Sequence, residues 1–440
     1  MLPRVSERYK AFCKTRPISY RHRSGLVLGC LLAVSMAGSA SSPAVEIATI
    51  DGVPHVKNST KPRDGARTLQ LEELWRAGSE DDKMIFGLVT KVASDREGNV
   101  YILDAQLSQV HIYAPDGQFL RTVFREGEGP GEVRDARDMI VMDDGRIGAV
   151  TEFPGKVVFV DQQGDPAGVL ECGGGARNEG GFWSLTAAFC GGGQLAITGT
   201  ISQQSDTPGV NDRTDFLSLF GDDGQERVRL AEHHCQYNFN DFIYDEGVHM
   251  PGFWWNTAVG PDGRIYAAPE LDGYAIHVWQ PNGTLERVIE REYKRWKRTR
   301  EEHAQVVGMI ESAMSGVPFE SRVAAKEYES DIVYILRGLR ARQDGTLWVL
   351  PSRGIREQPA GVLATFDVFD GEGVFVEQVS VACEGDSMLD GIFFVGQDRL
   401  VVVRGFADAV AAQFGRGSRA GGEDEEEGAL MEVICYRIQD

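Results

Sequence analysis

The chain has 440 residues, 42% apolar and 25% charged, so it is neither disordered nor fibrous. No apolar run reaches the roughly 18 residues of a spanning helix, which excludes a polytopic membrane protein. The formal charge is −21, and because residues 1–40 hold seven basic side chains and one acid, the remainder sets 38 basic residues against 65 acidic ones. Such a surface repels phosphate, so no nucleic-acid partner is expected.

Residues 1–23 are basic, Leu26–Met36 are apolar, and Ala37–Ala44 are small, in the order of a cleavable export signal. Cleavage after Ala40 is expected, giving a signal peptide at 1–40, an N-terminal linker at 41–68 and a periplasmic or extracellular protein with no transmembrane segment. A lipid-anchoring box at Leu28-Gly-Cys30 is disfavoured by the short apolar stretch before it. Five cysteines remain after removal of the signal: Cys172, Cys190, Cys235, Cys383 and Cys435. In an oxidising compartment the nearest two, Cys172 and Cys190, are the expected disulfide.

A repeat then runs along the chain. A Gly- or Asp-rich turn followed by a short apolar run occurs at Asp95–Asp104, Asp143–Val150, Gly191–Thr198, Pro261–Ala268, Gln343–Leu350 and Gly396–Val403. Asp-Gly and Gly-Asn supply the positive φ of tight hairpins, and the Ile, Val, Tyr and Trp runs suit strands. A second turn follows most copies, as at Ala114–Gly117, Asp161–Gly164, Gly221–Gly224, Gln280–Gly283 and Asp370–Gly373. Each unit therefore reads as four short antiparallel strands. Gly98, Gly145 and Gly192 are each 47 residues apart, whereas later intervals of 71 and 82 predict insertions, a loop at 233–253 and a helical one at 291–333.

The sixth copy lacks a fourth strand, since the chain ends on Met431–Ile438. The alternating run Leu69–Trp75, before the first copy, would supply it and cover an open sheet edge, so 69–77 is expected to be the closing strand. The predicted fold is all-β: a six-bladed β-propeller over 69–440, with a small helical insertion between blades four and five. Two runs, Asn99–Asp104 and Val110–Phe119, followed by Arg125-Glu-Gly-Glu-Gly-Pro-Gly-Glu132, resemble the NHL-like six-bladed β-propellers of secreted bacterial proteins. That resemblance implies an architecture rather than an activity.

The Gly127–Glu132 stretch lacks the Gly-Lys-Ser/Thr ending of a phosphate loop and reads as a crossing between units. Asp104, closing a strand, is expected to accept backbone N–H bonds from the next turn. Residues 233–255 concentrate His233, His234, Asp245, His249, Trp254 and Trp255, which we take as the ligand-binding candidates. If this stretch is a strand, Trp254 and Trp255 point to opposite faces. Its imidazoles and carboxylates match no zinc spacing, so no metal site is assigned. Calcium at the acidic run Glu423–Glu427 is conceivable but unsupported by ligand spacing, and no cofactor is assigned.

Thr299 before Glu301-Glu302, with Val306, Val307, Ile310 and Met314 behind, predicts a helix, and a second is expected at Ser321–Ser330. The sequons at Asn58 and Asn282 offer glycan acceptors. No catalytic triad or nucleophile elbow can be assigned. The expected function is a binding or interaction module for a protein, peptide or carbohydrate ligand. The alternative is an enzyme of metal-dependent lactonase or lyase type with its site in the central channel.

Overall fold

The computed structural model describes residues 45–79, 84–173, 181–314, 319–418 and 431–439. The export signal at 1–40 and the acidic run at 423–427 lie outside the described residues.

A hairpin of β1 (Glu46–Ile50) and β2 (Val53–Asn58) is followed by the long strand β3 (Ala66–Ala77). The first unit is the antiparallel sheet β4 (Val89–Ser94), β5 (Val100–Asp104), β6 (Gln109–Tyr113), β7 (Phe119–Val123). The second is β8 (Ala136–Val141), β9 (Ile147–Thr151), β10 (Lys156–Val160), β11 (Pro166–Glu171). The third has longer strands: β12 (Gly181–Gly191), β13 (Gln194–Gln204), β14 (Val210–Phe220), β15 (Glu226–Asn238). After β16 (Phe242–Asp245) and the single turn α1 (Glu246–His249) comes the fourth: β17 (Thr257–Val259), β18 (Ile265–Ala267), β19 (Ala275–Trp279), β20 (Leu285–Arg291).

Helix α2 (Arg300–Ala313) and β21 (Ser321–Ala324) precede the fifth unit: β22 (Leu339–Ala341), β23 (Leu347–Val349), β24 (Val362–Phe369), β25 (Phe375–Ala382). The last unit is β26 (Gly391–Val395), β27 (Arg399–Val403) and, beyond helix α3 (Phe406–Ser418), β28 (Val433–Gln439). Its fourth strand is β3, which pairs antiparallel with β28 from Ala77↔Val433 to Gln70↔Gln439. No helix among the described residues is long and apolar enough to cross a membrane.

The repeat glycines make this sheet pattern. Gly98, Gly145, Gly192, Gly263, Gly345 and Gly396 all have positive φ, between 53° and 89°, at the turn joining the first and second strands of a unit. Second strands are apolar on both faces because neighbouring sheets cover both: every residue of β5 and of β9 is buried. Fourth strands face outward, and Phe119–Thr122 of β7 are exposed. First strands meet each other, β4 beside β8, β8 beside β12, β12 beside β17, β17 beside β22 and β26 beside β4. Four-stranded sheets with their first strands gathered on one axis are a propeller-type arrangement.

The first half of β3 also pairs in parallel with β25, so β3 joins the fifth and sixth units. Its Trp75 stacks on Tyr113 of the first unit, with ring centroids 5.4 Å apart. Gly117 makes room for that ring: a Cβ there would lie 2.5 Å from Trp75 Cγ.

Several expectations are corrected. Residues 41–68 are not a bare linker, because β2 adds in parallel to β20 and covers the outer edge of the fourth unit. Asn58 anchors this addition: its amide donates to Glu290 O (3.0 Å) and Gly373 O (2.9 Å) and accepts from Phe375 N (2.8 Å). A buried, fully used amide is no glycan acceptor in the folded chain. Residues 233–238 continue β15, so the extra length of the third unit goes partly into longer strands. Cys172 and Cys190 are free thiols, as are the other three. Cys190 turns toward the second unit, 3.1 Å from Val141 O.

Helix α2 starts as its sequence implies, with a reciprocal capping box between Thr299 and Glu302. No helix forms at Ser321–Ala324, which pairs in parallel with β16, so tertiary pairing overrides local preference. An ion cluster holds these insertions. Arg298, 2% exposed at its side chain, donates to both oxygens of Glu246 (2.6 and 2.7 Å) and both of Glu329 (3.1 and 3.0 Å). Arg356 reaches Glu329 (3.2 Å) and Glu302 (3.3 Å). Two guanidiniums thus face three carboxylates.

Candidate functional site

All six first strands, with the segment leading into β22, line one cavity of about 270 Å³. Its lining is apolar apart from Lys91 of β4, Arg337, Arg340 of β22 and the small polar side chains Ser94, Cys190 and Thr257. Charged residues inside otherwise apolar first strands, as in Val89-Thr-Lys-Val-Ala-Ser94 and Ala136-Arg-Asp-Met-Ile-Val141, are what the fold brings together at the axis.

Asp138 is wholly buried behind this lining. Its carboxylate accepts from Lys91 Nζ (3.1 Å), Arg337 Nη2 (3.2 Å) and Ala188 N (3.1 Å). Burial works against its charge, but Arg337, Lys91 and the N–H groups of Met139 and Ala188 hold the carboxyl below its ordinary range. Burial, then the charge of Arg337, push Lys91 down to about 8, with Asp138 opposing them. Lys91 also lies over the Phe189 ring, 5.3 Å from its centroid.

Arg340 has no carboxylate partner among the described residues. It donates to the carbonyls of Leu336 (2.9 Å), Leu339 (3.0 Å), Ile392 (3.0 Å) and Arg337, while its buried Nε has no partner. Burial and then Arg337 lower its pKa; a guanidinium nonetheless stays protonated at neutral pH. Among the described residues the axis therefore holds three cations and one carboxylate, inside a chain of net charge −21. A low-dielectric cavity with unspent donors suits a small anion.

Helix α3 lies against the beginnings of β4 and β8. Its Gln413 donates to Ala136 O (3.1 Å) and Arg137 O (3.3 Å) and its own carbonyl accepts from Arg137 Nη1 (2.5 Å). Helix α3 also packs on β4 and on α2, so both helical insertions meet on this side of the wheel. A second hollow, of about 430 Å³, lies between outer turns near Asp262, Arg264, Pro281 and Asn282. Its arginine is already paired with Asp262 and Glu286, which leaves no charge for a ligand.

None of the candidates between 233 and 255 lines this cavity. His233 is half-buried, with Nε2 2.7 Å from Val248 O. His234 is exposed beside Thr214 (3.0 Å). Asp245 caps α1 by accepting from Gly247 N (2.9 Å). His249 accepts from Asp245 N (2.8 Å) and meets the Tyr237 ring edge-on at 4.8 Å; burial lowers its pKa. Gly252–Trp254 form a 3₁₀ turn rather than a strand, and both tryptophans are buried, Trp255 against Tyr334 at 4.7 Å. Asp104 accepts from Gly87 N (2.7 Å), Leu88 N (3.1 Å), Gln106 N (3.0 Å) and Leu107 N (3.2 Å), a turn-holding role. In the Gly127–Glu132 crossing, the Glu132 carboxylate accepts from Gly129 N (2.8 Å) and Arg125 Nε (2.7 Å) and folds the loop on itself.

Neither a protein-family model nor a curated protein matches the chain. Solved structures do. A Bacteroides fragilis protein described as exported is 12% identical over 88% of this chain and 100% of its own, with a TM-score of 0.47. A DUF4221-family member from Bacteroides vulgatus is 11% identical over 84% and 99%, with a TM-score of 0.44. Virginiamycin B lyase from Staphylococcus aureus is 11% identical over 84% and 100%, with a TM-score of 0.38. At such distances no activity transfers to this chain.

Proposed function

We propose that this chain is an exported, NHL-like six-bladed β-propeller acting as a binding module for a small anionic ligand on its axis. The excess of cations around the axial cavity carries this reading, because buried positive charge without a counter-charge is costly unless something negative shares the site. Six four-stranded units, the last completed by β3, support the six-bladed description, and the basic, apolar and small-residue order of 1–40 supports export. A carboxylate or phosphate group on a peptide or carbohydrate would supply the ligand charge. A metal-dependent enzyme on the same axis has less support, since the lining offers cations and no carboxylate.

Calorimetric titration with inorganic phosphate, citrate and a uronic acid tests the reading. At least one should bind the wild type, and Lys91→Met should weaken it about tenfold or more, the value of a charged hydrogen bond. Absence of binding by all three, or equal affinity for both proteins, would overturn it.

A further inference from the structure

The third unit carries a second chemistry, away from the axis, on the outer hairpin of β14 and β15. Register sets it up: Asp215 faces His233 and Arg213 faces Cys235 across the antiparallel pair. Residues two apart on a strand share a face, so these four side chains lie together on one side of the sheet. A carboxylate oxygen of Asp215, a ring nitrogen of His233 and the Cys235 sulfur all lie within 4.8 Å of one another.

We propose that Asp215, His233 and Cys235 bind a divalent transition-metal ion of the zinc type. The three donor types are those zinc accepts, and a tetrahedral ion bonded at about 2.0–2.3 Å needs its ligand atoms roughly 3.3–3.8 Å apart, a small contraction from the observed spread.

Each donor is prepared for this. Asp215 is fully buried; its Oδ1 accepts from Thr200 Oγ1 (2.7 Å) and Arg213 Nε (2.8 Å), whereas Oδ2 is buried with no hydrogen-bond partner among the described residues. A buried carboxylate oxygen left bare is costly, and the Arg213 pair does not use it. His233 directs Nε2 at the Val248 carbonyl, 2.7 Å away. A carbonyl can only accept, so Nε2 carries the proton and Nδ1 keeps its lone pair, the outer-shell arrangement usual for metal-bound histidine. Cys235 is a buried free thiol. Its thiolate and the Asp215 carboxylate together would neutralise a divalent ion, the thiol proton leaving to solvent as the bond to sulfur forms.

Arg213 opposes a cation, and it is held to one side. It lies 5.0 Å from the ring centroids of both Tyr237 and Trp254 and donates to Tyr237 Oη (2.9 Å) and Thr200 Oγ1 (2.9 Å). It thereby orients the Asp215 carboxylate through Oδ1 alone. Three protein donors leave a fourth position for water or a ligand group. This inference is independent of the axial reading, since no residue is shared.

Untagged full-length protein, stripped with chelator and titrated with cobalt(II), provides the test. One equivalent should give tetrahedral visible bands together with a sulfur-to-cobalt charge-transfer band. Cys235→Ser should lose the charge-transfer band although the six other cysteines of the chain remain. Zinc should also raise the wild-type Tm in proportion to its occupancy, a readout that needs no variant. Cobalt spectra unchanged from the free ion, or a charge-transfer band that survives in folded Cys235→Ser, would overturn the proposal. If Cys235→Ser does not fold, an absent zinc-induced Tm shift in the wild type overturns it alone.

Discussion

Two buried ion clusters of this protein look alike in composition and differ in arithmetic. Around Arg298 and Arg356, two guanidiniums meet Glu246, Glu329 and Glu302, and both Arg298 pairings engage two oxygens. Around Asp138, Lys91 and Arg337 share one carboxylate while Arg340 has only backbone carbonyls. The first cluster leaves no cation without a counter-charge and ties α1, α2 and the segment after β21 to the wheel. The second keeps uncompensated charge beside a cavity. Charge stoichiometry, more than burial or the presence of ion pairs, separates a clasp from a site.

The largest expected effect is at the clasp. Arg298→Met leaves the buried Glu246 without its guanidinium and Glu329 with Arg356 alone, and should cost about 3–5 kcal/mol of unfolding free energy in urea. A loss under about 1 kcal/mol would mean that the clasp carries no such weight. Asp138→Asn is next: it removes the sole counter-charge on the axis among the described residues and should cost about 3 kcal/mol. Unlike the clasp mutation, it should tighten anion binding, and added phosphate should restore part of the lost stability. Loss of both stability and anion affinity in the Asp138→Asn variant would erase the distinction.

Lys91→Met leaves the Arg337–Asp138 pair in place and should weaken anion binding while the chain stays folded. The pH dependence sharpens the same point. With Lys91 at about 8 in the folded chain against an ordinary 10.5, the unfolded state binds more protons between those values. The Lys91 contribution to stability should therefore rise from about pH 8 to about pH 10.5 and be flat below. Anion affinity should fall as pH rises through about 8, and Lys91→Met should flatten both profiles. The smallest effect is at α2, where Thr299→Ala removes one half of the capping box and should cost about 1 kcal/mol in thermal melts.

The wheel is legible in the sequence because its turns obey local rules. A glycine at each first hairpin needs positive φ whatever surrounds it, so spacing alone reveals the units. Leu69–Trp75 is legible for a related reason: an alternating run without a neighbour asks for an edge. The sites are not local. Lys91, Asp138, Arg337 and Arg340 come from three separate strands and a connecting segment, and only closure of the ring brings them together. The partial signal was a charge inside an otherwise apolar strand. His233 stands out by composition and Cys235 shares its strand face two residues on, yet Asp215 joins them through cross-strand register, which no spacing motif encodes. Trp254 and Trp255 stand out in sequence as ligand-binding candidates, but the turn at Gly252 buries both.

The seam at β3 and β28 has a consequence for how the molecule is born. Arg76 and Glu432, 356 positions apart, touch there at 3.1 Å. Closing so long a loop is slow and entropically costly. A chain emerging N-terminus first must therefore hold residues 70–77 of β3 unmated until β28 arrives. Translation or translocation is a period of vulnerability to chaperones, proteases and stray pairing partners, and only the final strand ends it.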